Sequence, residues 1–198
     1  MHDIQYVWQQ PGWPKLTWQN DSLLEVIGQA RFSQGKLLSK IQALGIDLGR
    51  EAQAEILIEE TVKTAAIEGE TLDRNSVRSS VARRLGLPFA GLPSPARHID
   101  GLVDVLLDAT LHYDKPLNAE RLKGWQAALF PTGFSGLQRI RVGEWRGPEP
   151  MQIVSGPLRR EKIHFEAPPY QHLEEEMSRF FTWWQESRGK IEGLLRAG

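Results

Sequence analysis

Between Ser22 and Glu68 the apolar residues recur every three or four positions, in two long runs whose spacing suits a helix buried along one side. In the first run Leu23, Ile27, Ala30, Leu37, Ile41 and Leu44 share a stripe, and Gly45 is the expected stop. Ser22-Leu-Leu-Glu25 has the S-x-x-E form of a capping box, so the helix is expected to open there. The second run, Arg50 to Glu68, puts Ala54, Leu57, Ile58, Val62, Ala65 and Ala66 on one stripe and stops at Gly69. So much periodic helix commits the chain to a mainly α fold. It also leaves a question. Glu68 falls in the last turn, at the negative end of the helix dipole, where a cation is the favoured occupant.

Further along, Asp73 is placed to cap a helix over "RNSVRSSVARRLG", and "LPFAGLPSPA" is a Pro/Gly loop. Helical spacing resumes in "RHIDGLVDVLLDATLHY" and in "NAERLKGWQAALFP", with Asn118 as N-cap of the second. Ahead of the first run, "YVWQQPGWPKLTW" sets Trp8, Trp13 and Trp18 among prolines, which predicts an extended strap held over the core by its aromatic rings. After Gly133 the pattern changes. "MQIVSG" and "KIHFEA" are short, rich in β-branched and aromatic residues, and separated by "PLRRE", the signature of a β-hairpin with a basic tip. Such a hairpin can be purely structural, or it can offer an open edge to a peptide, and composition does not separate the two. "PPYQHLEEEMSRFFTWWQES" returns to helix, with Leu173, Met177, Phe180, Phe181 and Trp184 on one face, and "KIEGLLRAG" begins another. The expected organisation is an N-terminal helical domain over 1–95 and a second part over 96–198 that carries the hairpin.

Composition narrows the function. The chain has 198 residues, 40% of them apolar, enough to bury a core. Its net charge of −1 argues against a general polyanion binder, and with no cysteine there is no disulfide framework and no thiolate metal site. The histidines at 2, 98, 112, 164 and 172 are scattered, and no H-x-x-x-H, phosphate loop or G-x-G-x-x-G is present, so no metal site is expected. Arg78, Arg83 and Arg84 read as a solvated basic face rather than a nucleic-acid contact, and Glu174-Glu175-Glu176 as an acidic face at a helix start. With no signal peptide and no apolar run long enough for a bilayer, a cytoplasmic protein without a membrane partner is expected.

Thr64-Ala-Ala-Ile-Glu68-Gly69 fits the pattern (S/T)-x-x-x-E-(G/N), and its context "TAAIEGETLDRNSVRSSVARRLGL", with "YVWQQPGWP", "GWQAALFPTG", "VGEWR" and "MQIVSGPLRREKIHFEAPP", resembles the N-terminal part of Fic proteins. These are protein adenylyltransferases, here of the kind whose inhibitory segment precedes the catalytic core. The resemblance covers nearly the whole chain. It implies a Fic-like helical fold with one β-hairpin, the flap, preceded by a helical regulatory segment. It further implies that Thr64, Glu68 and Gly69 form the inhibitory motif, and that Met151, Ile153, Val154, Ser155, Gly156, Ile163 and His164 line the groove for a target segment. In the family the inhibitory Glu engages an arginine that otherwise holds the ATP γ-phosphate. The parent reaction transfers AMP from ATP, with Mg²⁺, to a Ser, Thr or Tyr hydroxyl of a protein. The catalytic pattern H-x-F-x-(D/E)-G-N-G-R-x-x-R is absent from these 198 residues, so the chain has no catalytic residue of its own and is expected to be a fragment that binds neither ATP nor Mg²⁺ tightly. The alternative is a non-catalytic module, antitoxin-like or nucleic-acid-binding. The apolar residues of "VDVLLDAT", "GWQAALF" and "MSRFFTWW" are expected to make the chain self-associate, or else to leave it markedly less stable than the full-length protein.

Overall fold

The second periodic run becomes the spine of the core. In the computed structural model, which describes residues 6–43, 46–157 and 160–197, this run forms helix α2 (Ile46–Ile67) and begins four residues ahead of Arg50. Leu44 and Gly45, the expected end of the first run, lie outside the described residues, as do His2 and two residues of the hairpin tip. Ala54, Leu57, Ile58 and Ala65 of α2 are buried, as the stripe predicts, whereas Ala66 is exposed.

α3 (Arg74–Leu85), α4 (Arg97–Leu111) and α5 (Ala119–Leu129) complete this layer. α2 packs on α3 and α4, α3 on α4, and α4 on α5. Leu72, Val77, Val81, Ile99, Val103 and Leu107 join the α2 residues in one apolar cluster. Val103 and Leu107 were expected on an open surface of "VDVLLDAT" and are instead core. Both predicted caps are present: Asp73 accepts from the Ser76 amide at 2.8 Å and Asn118 from the Arg121 amide at 2.8 Å. α4 and α5 approach so closely at Gly101 that a Cβ there would sit 1.9 Å from the Ala128 carbonyl oxygen.

α1 (Asn20–Ala43) opens two residues before the expected cap. Ser22 therefore lies inside the first turn, and its hydroxyl donates back to the Gln19 carbonyl at 2.9 Å instead of capping free amides. No residue of α1 is buried.

The chain divides into two compact units, Met1–Gly28 with Trp145–Gly198, and Gln29–Glu144. The boundary expected at 95/96 falls in the 86–96 loop of the second unit. That unit also holds a hairpin the sequence pattern did not announce, β1 (Phe134–Ser135) with β2 (Gln138–Arg139), two residues each. Gly136 opens its two-residue turn at φ 58°, the left-handed backbone such a turn requires.

In the first unit β3 (Gln152–Ser155) and β4 (Lys162–Glu166) pair antiparallel, as expected. α6 (Leu173–Glu186) follows a 3-10 turn at Tyr170–His172, and α7 (Gly193–Ala197) ends the description. The aromatic strap is anchored but not extended. Val7–Gln9 form a 3-10 turn, closed by the Gln9 side chain accepting from the Tyr6 amide at 2.8 Å. Its rings hold to β4 and α6: Tyr6 lies edge-on to Phe165, Trp8 Nε1 donates to the Glu166 carbonyl at 2.7 Å, and Trp13 Nε1 to Glu176 at 3.2 Å. Among the described residues the chain is mainly helical with two small hairpins. Among the described residues no helix is long and apolar enough to cross a membrane.

Candidate functional site: a helix end and a hairpin

α2 stops in a Schellman turn. The Glu70 amide reaches back to the Ala65 carbonyl at 2.9 Å and the Gly69 amide to Ala66 at 3.0 Å, the 6→1 and 5→2 bonds of that motif. Gly69 stands at φ 79°, the left-handed position expected of it, and there a side chain would be strained. Glu68 is thereby fixed as the last residue before the turn, and it is exposed. Its carboxylate makes no hydrogen bond or ion pair among the described residues. Neighbouring Glu70 lies 3.6 Å from His98 Nε2. Thr64, half-buried one turn back, does not orient Glu68: its hydroxyl donates to Glu60 at 3.3 Å, while the Glu68 amide meets the Thr64 carbonyl at 3.4 Å.

The hairpin presents the residues expected of a flap on one short ribbon. Ile153 faces Phe165 and Val154 faces Ile163, with one extra residue, His164, bulged between them on β4. That bulge brings His164 Nε2 to 2.5 Å from the Ser155 hydroxyl. Met151, Ile153, Val154, Ser155, Gly156, Ile163 and His164 are all exposed. Outward and inward backbone groups follow from one bond. The Ala167 amide donates to the Met151 carbonyl at 2.9 Å, so Met151 and Ile153 turn their backbone groups toward β4, and Gln152 and Val154 turn theirs outward. On the β4 side the outward carbonyl of Glu166 is taken by Trp8. On β3 the outward groups of Gln152 and Val154 have no backbone partner among the described residues.

Of the arginines expected on a solvated face, Arg78 and Arg83 are exposed, Arg83 with its guanidinium over the Phe89 ring, and Arg84 is half-buried. Arg78 pairs with Glu55 at 2.6 Å, and Arg74 binds Glu55 and Glu59. Arg84, half-buried, grips Asp100 at 2.8 Å, Asp104 and the Ser80 hydroxyl at 2.8 Å, joining α3 to α4. Burial opposes ionisation of Asp100, but the Ser80 and Arg84 hydrogen bonds outweigh it and its pKa is lowered. Arg78 and Arg84 thus each have acidic partners on another helix.

A second network escaped sequence reasoning. Asp108 accepts from Arg121 Nε and Trp125 Nε1, both at 2.8 Å, and lies 3.0 Å from His112 Nδ1. Arg121 also donates to the carbonyls of Asp108, His112 and Lys115, tying off the end of α4. The Arg121 hydrogen bond above all lowers the Asp108 pKa to about 2. The only sequence signal was the i, i+4 pairing of Asp108 and His112. These contacts are structural ties between helices.

Among the described residues no three His, Asp or Glu side chains gather as metal ligands, and Arg84 and Arg121 are already occupied by aspartates. A cleft of about 430 Å³ is lined by Ile41, Gln53, Ile56 and Leu57, and one of about 470 Å³ by Thr132, Phe134, Arg139, Arg141 and Glu144. Neither includes Glu68 or a β3–β4 residue.

No curated protein matches this chain. The strap, α1, α2 with its Glu68–Gly69 end, and α3 coincide with a recognised sequence unit: residues 6–87 match the family described as a domain of unknown function, DUF4172.

Proposed function

We propose that this chain is the regulatory and target-docking portion of an autoinhibited protein adenylyltransferase of the Fic type. The observation that carries the reading is Glu68. An exposed carboxylate with no partner among the described residues, held at the C-terminal end of a helix, costs stability rather than adding it. The Schellman turn nonetheless fixes its backbone, as a group meant to meet a cation from outside the described residues requires. The arginine of the catalytic motif, which these 198 residues do not contain, is that cation in the proposal. With the arginine held by Glu68, ATP and Mg²⁺ bound to the catalytic segment would sit unproductively. The outer edge of β3 would take the protein substrate as an added strand, its Ser, Thr or Tyr hydroxyl directed to the catalytic segment.

The test uses an active Fic catalytic segment, joined in frame to this chain or supplied separately, with labelled ATP as the readout. The wild-type chain is expected to suppress label transfer. Glu68→Gly is expected to release it about ten- to a hundredfold, the effect of losing one charge-assisted bond of about 1.5–3 kcal/mol. Equal transfer with both chains refutes the assignment.

A further inference from the structure

α1 is a 24-residue helix, about 36 Å long, with no buried residue, and every residue from Gly28 to Lys40 is exposed. Propensity alone does not hold such a helix. Gly28 and Gly35 lie inside it, each costing about 1 kcal/mol against alanine, and helices in proteins draw most of their stability from packing. Yet it carries an apolar seam. Leu23, Ile27, Ala30, Gln34, Leu37 and Ile41 follow one another at spacings of four and three, the alternation of a coiled-coil core. Leu24 and Leu38 flank the seam on one side, 67% and 52% exposed, and Leu37 within it is 54% exposed.

We propose that this face is an isologous dimer surface, with α1 of a second copy of the chain packed antiparallel across it. The seam is self-complementary about a two-fold axis near Phe32. In that register Leu23 meets Ile41 of the other copy, Ile27 meets Leu37, and small Ala30 meets long Gln34. Leu24 and Leu38 come side by side. A parallel pair sets Ala30 on Ala30, leaving a void, and strands Leu24 and Leu38 about 21 Å apart. Charge agrees with the antiparallel choice. Asp21 and Glu25 make one end of α1 acidic, Lys36 and Lys40 make the other basic, and the reversed copy brings unlike ends together while opposing the helix dipoles.

Phe32 gives the proposal a sharp control. It is the most exposed large apolar residue of α1, at 75%, yet helical geometry sets it on the side away from the seam. Sedimentation of the full 198-residue chain over a wide concentration range is expected to show a monomer–dimer equilibrium. Leu37→Glu is expected to weaken the dimer about tenfold or more, and Phe32→Glu to leave it unchanged. The absence of cysteine permits a second readout. Leu24→Cys and Leu38→Cys chains, mixed and treated with a short bis-maleimide, are expected to cross-link to one another and not within either preparation alone. A monomer at every concentration, equal effects of Leu37→Glu and Phe32→Glu, or cross-linking of each variant to itself would overturn the inference.

Discussion

Replacing Gly101 by alanine probes a close approach between the backbones of α4 and α5. The added Cβ would lie 1.9 Å from the Ala128 carbonyl oxygen and 2.7 Å from its carbon, both backbone atoms of α5. Closest carbon–oxygen contacts lie at about 3.3 Å, so α4 and α5 must part by roughly 1.4 Å. No side chain can swing aside to relieve this. Overpacking costs about 1–3 kcal/mol, and a backbone clash belongs at the upper end of that range. Alanine returns up to about 1 kcal/mol through its better helix propensity. The net loss is about 1–2 kcal/mol, a fall in Tm of roughly 3–8 °C for a chain of this size. Parting the helices also pulls on Arg121 and Trp125 of α5 where they meet Asp108 of α4, each at 2.8 Å. Gly124, on α5, has nothing within 4 Å of its hypothetical Cβ. Gly124→Ala is therefore expected to stabilise, by about 0.5–1 kcal/mol. Thermal melts followed by circular dichroism read both variants. A Gly101→Ala chain that melts at or above wild type would show that the close approach carries no energetic weight.

Acid should unfold the α4–α5 tie in a defined window. The Asp108 pKa is lowered in the fold from 3.8 to about 2, so its contribution is complete above about pH 4 and lost as pH falls through 2. It amounts to at most about 2 kcal/mol, screened toward about 1 because the carboxylate is partly exposed, and Asp108→Asn should lower Tm at neutral pH while flattening its dependence between pH 4 and 2. Glu68→Gln removes an anion from the negative end of α2 and should raise stability by about 0.3–1 kcal/mol, measured by urea unfolding; a loss would mean that Glu68 has a stabilising partner. Val154→Pro removes an outward amide from the outer edge of β3, so in the joined catalytic protein it should depress target labelling while leaving ATP binding intact. Parallel loss of both would reduce the hairpin to a structural prop.

Much of the local architecture was legible in the chain. The stripe from Ala54 to Ala65, the caps at Asp73 and Asn118, the left-handed stop at Gly69 and the β3–β4 pairing all follow from residues within a few positions of one another. The misses share a cause. Ser22 has the capping sequence but sits inside a helix that opened at Asn20. Thr61 and Ser80 are as buried as any leucine, and each hydroxyl has a partner, Thr61 the Leu57 carbonyl and Ser80 the Asp100 carboxylate. A hydrophobic pattern does not show a core built partly from serine.

The sequence by itself determined the helical class, the caps at Asp73 and Asn118 and the position of Glu68 in its turn, since these depend on spacing, capping and the conformational freedom of glycine. Only the tertiary structure decided that Arg78 and Arg84 are bound by acids from other helices, that Trp8 covers the Glu166 carbonyl of β4, and that Glu68 has no partner among the described residues. Each of those outcomes depends on groups far apart in sequence that folding brings within 3 Å or keeps apart, and no local pattern encodes such a distance.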